Sequence, residues 1–306
     1  MSDVFTSGAQ SSGNSNGSWP VERSASSDPS GWRPTVPRRD SSASSRSSSS
    51  TDADDLDLDP TNFPAGKRSL AGISLRASLL GVSLGLTSSL CLLLATVFPT
   101  PLWRVPFFIA ALSLFHFLEF YVTARYNTRA ATVSAFLLSS NGWAYNVAHG
   151  SAVVECLVSQ LLWPEGSTIG HWFSVPEPFY GTSISALVLL GFTLTVVGQV
   201  VRTLAMSQAA SNFNHHVQVE HKAGHVLVKH GVYRYFRHPS YFGFFWWGLG
   251  TQLVLGNVVC FIGYAVVLWR FFASRIKREE SFLIQFFGAE YVQYRQDTPI
   301  GIPFIR

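Results

Sequence analysis

The stretch that decides the fold runs from residue 241 to 272: Tyr-Phe-Gly-Phe-Phe-Trp-Trp-Gly-Leu-Gly-Thr-Gln-Leu-Val-Leu-Gly-Asn-Val-Val-Cys-Phe-Ile-Gly-Tyr-Ala-Val-Val-Leu-Trp-Arg-Phe-Phe. Its first charged residue is Arg270. Such a block is too long for one membrane crossing, which takes about 20 residues, and short for two. Gly248, Gly250 and Gly256-Asn257 interrupt it near the middle. The spacing predicts a tight helical hairpin, two tilted helices of about 15 residues each.

Working outward, apolar segments at 77–98, 105–123, 142–163 and 180–203 each suffice for about 30 Å of hydrocarbon. Pro99 and Pro101 punctuate the first connection, and Trp163-Pro164 closes the third segment. The expected fold is an all-α integral membrane protein of about six transmembrane helices, the last two forming the hairpin. Composition agrees. The 306 residues are 47% hydrophobic and only 13% charged, against about 25% charged in soluble domains. An ordinary cytosolic enzyme is excluded.

The charges are also unevenly placed. Residues 1–66 hold 5 arginines and 9 acidic residues, so the remaining 240 carry 17 basic and 9 acidic ones. The cations sit between apolar runs, where an anionic leaflet attracts them, and this placement argues against a nucleic-acid partner. With the tail in the cytosol, the cytosolic connections carry Arg125, Arg129, Lys222, Lys229, Arg234 and Arg237. The C-terminal stretch adds Arg275, Lys277, Arg278, Arg295 and Arg306, whereas the opposite side has Arg104. Both termini are therefore expected in the cytosol. Cys91, Cys156 and Cys260 lie in apolar segments without metal-type spacing, which gives neither a disulfide framework nor a zinc site.

Three regions follow. Residues 1–66 form a Ser-rich tail that buries too little apolar surface to order itself, with Arg38-Arg39-Asp40-Ser41 and Arg46-Ser47 as candidate kinase sites. Residues 67–210 carry the first four transmembrane helices. Residues 211–306 hold the chemistry, with the hairpin and a C-terminal amphipathic helix marked by Phe282, Leu283, Phe286, Phe287, Tyr291 and Tyr294.

Six of the nine histidines fall between His215 and His238. They have no cysteine among them and only Glu220 as an acid, so no metal site is expected. Val226-Leu227-Val228 followed by Gly231 reads as an extended piece and a turn. Arg237-His238-Pro239 starts the hairpin helix, with Pro239 suited to its first turn. Its unpaired amides suit a carboxylate or another anion. With Tyr233, Ser240, Tyr241 and Gly243 this becomes a polar, aromatic wall. Arg275 and Glu279, four apart, share one helix face. They read either as a surface ion pair or as an acid available to a bound cation. His116 and Glu119, inside a span, either bond between helices or contact substrate. Trp246 and Trp247 either border a lipid access path or belong to the interfacial aromatic belt.

Taken together, Gly231-Val232-Tyr233, Arg237-His238-Pro239-Ser240-Tyr241, Glu279-Glu280 and Phe287-Gly288-Ala289-Glu290-Tyr291 resemble the isoprenylcysteine carboxyl methyltransferases. The resemblance extends upstream through Phe115-His116-Phe117-Leu118-Glu119-Phe120 and Ser134-Ala135-Phe136-Leu137-Leu138. It implies methyl esterification of prenylated CaaX proteins, such as Ras- and Rho-like GTPases, at the endoplasmic reticulum membrane. S-Adenosylmethionine is the implied donor. The resemblance places its contacts on Gln218, His225, Val226, Leu227, Val228, Tyr233, His238, Pro239, Ser240, Tyr241 and Glu279. Arg275 corresponds to the catalytic residue that engages the substrate carboxylate, and Trp247 is assigned to substrate binding. Asn257-Val258 stands where the family usually has Asn-Pro. The alternatives are a membrane methyltransferase acting on a phospholipid amine and a transporter or scaffold without catalysis. Duplicated halves with matching broken helices would favour a transporter, and the polar residues here cluster at one end.

Overall fold

The computed structural model describes residues 59–305 apart from 139, 163–185 and 222–223. Most of the Ser-rich tail, its candidate kinase sites, Trp163-Pro164 and Arg306 lie outside the described residues. Among the described residues all regular structure is helical. Helix α1 spans Leu70–Leu92 and continues as a wider turn over Leu93–Val97. Then come α2 Arg104–Tyr126, α3 Gly142–Leu162, α4 Ala186–Ala209, α5 Pro239–Leu255, α6 Val259–Phe287 and α7 Ala289–Asp297.

Four segments are long and apolar enough to cross a membrane: Leu70–Val97, Pro101–Tyr126, Ala186–Asn212 and Val259–Phe287. Apolar side chains cover the outside of the bundle, and several polar ones are buried within it. Leu75, Leu79, Val82 and Leu86 on α1 and Val196 and Val200 on α4 face outward, whereas Glu119, Arg202, Thr195, Gln252 and Asn257 are buried. Side chains of this kind face outward where the solvent is hydrocarbon, and polar groups turn inward to find partners there. The Ser83 and Ser113 hydroxyls meet across α1 and α2 at 2.8 Å.

Helices α4 and α5 pack most intimately, through glycine. A Cβ on Gly198 would come within 2.5 Å of the Gly243 carbonyl and 2.6 Å of the Trp247 amide; one on Gly250 would come within 2.6 Å of the Thr195 amide. Gly191 and Gly198 thus face Gly243 and Gly250, a small-residue seam that lets two backbones touch. This corrects the reading of Gly248 and Gly250 as breaks, since α5 runs through both. Inside a helix a glycine facing a neighbour is a packing choice. We expect Gly198→Ala to destabilise the protein by about 1–3 kcal/mol. Gly85→Ala, with no atom within 4 Å of the added Cβ, should leave the thermal unfolding midpoint in detergent unchanged or slightly raised.

Only at Gly256 does α5 stop, in the left-handed region at φ 76°. The Asn257 side chain donates to the Ala152 carbonyl and the Gln252 amide oxygen, both at 2.9 Å. Glu155 then accepts the amides of Val258, Val259 and Cys260 at 2.7–2.8 Å, capping α6. Proline in place of Val258 could not make the first of these bonds. Beyond the turn the expected length fails. Helix α6 runs 29 residues rather than about 15, because the charged Arg275–Glu280 stretch is made of good helix formers and continues the apolar arm. The expected amphipathic helix is in fact two pieces. Gly288, at φ 55° and ψ −130°, separates α6 from α7, and Tyr291 and Tyr294 of α7 are buried.

Candidate active site

The loop after α4, the turn at Gly231–Arg234, the start of α5 and the outgoing part of α6 with α7 enclose a cleft of about 690 Å³, open mouth included. Glycine is needed at the turn: Gly231 has φ 60°, and Gln208 of α4 accepts the adjacent Val232 amide at 2.8 Å. Asn212 holds the extended piece by accepting the Val226 amide at 3.0 Å. The Tyr233 hydroxyl donates to the Ala205 carbonyl at 3.2 Å, and that of Tyr294 donates to the Tyr233 carbonyl at 2.5 Å. Burial pushes both phenols above their ordinary pKa, so they are neutral donors at physiological pH.

Of the residues assigned to the donor, His225, Val226, Leu227, Val228, Tyr233, His238, Pro239, Ser240, Tyr241 and Glu279 line this cleft. Gln218 does not; it lies on the exposed loop and its side chain donates to the His216 carbonyl at 3.4 Å. Pro239 opens α5, as the sequence predicts, with His238 at the cap. However, the amides of Tyr241 and Phe242 are both taken up by the His238 carbonyl at 3.0 Å, so fewer first-turn donors remain than the motif suggests.

Arg275 and Glu279 are joined through a third residue. Tyr241 donates its hydroxyl hydrogen to Glu279 Oε2 and accepts from Arg275 Nε at 2.8 Å. The Arg275 guanidinium also lies 5.4 Å from the centroid of the Tyr241 ring, and its Nη2 donates to the His215 carbonyl. Neither a surface pair nor a free acid, the two charges share one phenol on the cleft wall.

The neighbouring Glu280 does a different job. Turned inward, its Oε1 accepts from Arg237 Nε at 2.6 Å and lies 3.1 Å from His238 Nε2, and Arg295 lies 3.3 Å from Oε2. Arg237 also donates to the Thr298 carbonyl at 2.7 Å. One carboxylate thus fastens the start of α5, α6, α7 and the strand of chain after them. His238 lines the cleft but its ring is fixed from behind, and it stacks on Tyr241 with centroids 5.5 Å apart.

A second buried cluster lies deeper, where sequence reasoning missed a member. Arg202 of α4 binds both oxygens of Glu119 on α2, the Nη2–Oε2 contact being 2.8 Å. Its Nη1 reaches the Ser240 hydroxyl at 3.0 Å and carbonyl at 3.2 Å, and it stacks over Phe115 and Phe244. The signal was available: Arg202 is an ionisable residue inside the apolar 180–203 run. His116 bonds between elements, with Nδ1 at 2.8 Å from the Phe136 carbonyl and Nε2 at 3.1 Å from the Tyr145 hydroxyl. Trp247 is 1% exposed, packed against Phe115 with centroids 4.8 Å apart, and is not part of the cleft wall. The glycine seam draws its backbone against α4, which turns this indole into core.

The fold and site define an intramembrane helical protein with a polar cleft at one end of the bundle, where charged side chains meet a largely apolar interior. Residues 189–285 match the model of the isoprenylcysteine carboxyl methyltransferase (ICMT) family. The chain is 41% identical over 253 residues to protein-S-isoprenylcysteine O-methyltransferase of Saccharomyces cerevisiae, covering 82% of this chain and 99% of the yeast protein. It is 39% identical over 240 residues to the Xenopus laevis enzyme of the same name, with 78% and 76% covered. The solved structure of a eukaryotic intramembrane Ras methyltransferase superposes with a TM-score of 0.65 at 36% identity, covering 76% of this chain and 77% of that one. The chain belongs to the isoprenylcysteine carboxyl methyltransferase family.

Proposed function

We propose that this enzyme esterifies the carboxylate of a C-terminal prenylcysteine with a methyl group taken from S-adenosylmethionine. Family membership supports the reaction. The observation that carries the site is Arg275 and Glu279 meeting at the Tyr241 hydroxyl on the cleft wall. The cleft suits the donor, a zwitterion with a sulfonium: Glu279 offers an anion to the ammonium, Tyr241 an aromatic face, and 226–228 backbone groups for a base. When bound, this donor supplies an electrophilic methyl carbon.

A carboxylate acceptor has a pKa of about 4 and arrives ionised, so no general base is required. Catalysis then rests on alignment and on removing water from the nucleophile. Arg275 uses Nε and Nη2 on the protein, which leaves Nη1 for one carboxylate oxygen while the other attacks. A prenyl chain, contributing about 0.8 kcal/mol per buried CH₂, stays among the apolar helices.

The accompanying reading has six spans, adding α3 and α5 to the four apolar segments, with α5 and α6 as a hairpin. Both termini and the cleft lie on the cytosolic side of the endoplasmic reticulum membrane, and the clients are CaaX-processed proteins such as Ras- and Rho-like GTPases. Supplied with labelled S-adenosylmethionine, the purified protein should place label on farnesylcysteine as a base-labile ester and none on an ethanolamine phospholipid. The reverse pattern would overturn the assignment, because an amine acceptor needs a base and Arg275 is a cation. Removing residues 1–58, which stops short of the Asp59 contact to Thr61 at 2.9 Å, should leave turnover within about 2-fold of the full chain.

A further inference from the structure

Arginine sits on a long, rotatable stem, so the place of its guanidinium is decided by what its N–H groups bind. Two acceptors hold Arg275. One, the Tyr241 hydroxyl, stands on the first turn of α5. The other, the His215 carbonyl, stands on a stretch without regular structure. A carbonyl in such a stretch is only as well placed as its side-chain anchors. Asn127, at the end of α2, donates to the Phe213 carbonyl at 3.0 Å. Two residues on, His215 Nε2 lies 2.8 Å from Glu119 Oε2. Glu119 is 1% exposed and is itself held through both oxygens by Arg202. A continuous set of bonds therefore runs from the interior of α2 through the His215 ring and backbone to the guanidinium.

We propose that His215, anchored by Glu119, is a positioning residue for Arg275: its ring fixes the loop so that its carbonyl sets the angle at which Arg275 meets the acceptor carboxylate. The proposal rests on the reading of Arg275 given above. Its consequence is asymmetric. Loosening His215 frees one of the two acceptors of Arg275, whereas the Val226 amide stays bound to Asn212 and Glu279 to Tyr241. A role confined to holding the loop as a whole would instead weaken the donor, since the same loop continues into the donor wall.

The test uses the full-length protein in lipid-supplemented detergent, as His215→Ala and His215→Gln, with Arg275→Ala alongside. In His215→Ala the KM for N-acetyl-S-farnesylcysteine should rise about 10-fold, while equilibrium binding of labelled S-adenosylmethionine stays within about 2-fold of the parent. That preserved binding also reports a folded cleft. Glutamine, which retains an N–H able to reach Glu119, should recover most of the loss. The proposal is overturned if donor binding weakens along with the rise in acceptor KM, if neither changes, or if glutamine does no better than alanine. An active Arg275→Ala variant would sink the reading of the site itself. An inactive Arg275→Ala beside an unaltered His215→Ala overturns the positioning role alone.

Discussion

Arg275→Ala should lose about 10²-fold or more in methyl transfer to farnesylcysteine, the scale of loss when a reacting group is no longer held in alignment. The protein should still insert and still bind S-adenosylmethionine. The guanidinium is half-buried beside Tyr241 of the cleft wall and is oriented by Tyr241 and His215, so its loss removes charge without opening a buried cavity. Glu279→Ala should fail differently. It removes the acceptor of the Tyr241 hydroxyl and the cleft's anion, so donor binding weakens and turnover collapses with it. Single-turnover measurements at saturating donor separate the two variants. Near-parental rates in both would refute the placement of the reacting groups at Tyr241.

Glu280→Ala, one residue further, should act on stability. Deleting one partner of a buried ion pair destabilises by about 3–5 kcal/mol, because the remaining charges stay desolvated and unpaired. Arg237, 8% exposed, would keep only its bond to the Thr298 carbonyl, and the His238 ring, 6% exposed, would lose its contact with the carboxylate. The expected observation is a large fall in the unfolding midpoint in detergent, with loss of the detergent-stable fold before any kinetic defect can be assigned. Glu280→Gln, which keeps an acceptor for Arg237, should recover part of the loss. A midpoint for Glu280→Ala equal to the parent's would show that the carboxylate is not the fastening point between α5, α6 and the segment after α7.

Adjacent in sequence, Glu279 and Glu280 differ by about 100° around the helix axis, and that rotation alone sends one to the cleft and the other inward. Nothing in the dipeptide says which is which. The same limit explains Arg202 and Trp247. Both lie in apolar runs whose periodicity reports burial without reporting the partner. The partner of Arg202 lies 83 residues away, and the depth of Trp247 follows from the glycine seam that joins its own helix to α4.

What the amino-acid order determined by itself was local: apolar length made the chain helical and membrane-bound, Pro239 opened a helix, Gly231 marked a turn and Gly256-Asn257 a break, and the clustered motifs indicated the family. Those properties depend on neighbours a few residues apart and on transfer into hydrocarbon. Tertiary structure decided the rest: which glycines are turns and which are contact surfaces, and which of two glutamates faces the cleft. These are set by partners distant in the chain: the backbone of α4 against that of α5 at the glycines, and Arg237, His238 and Arg295 around the buried Glu280.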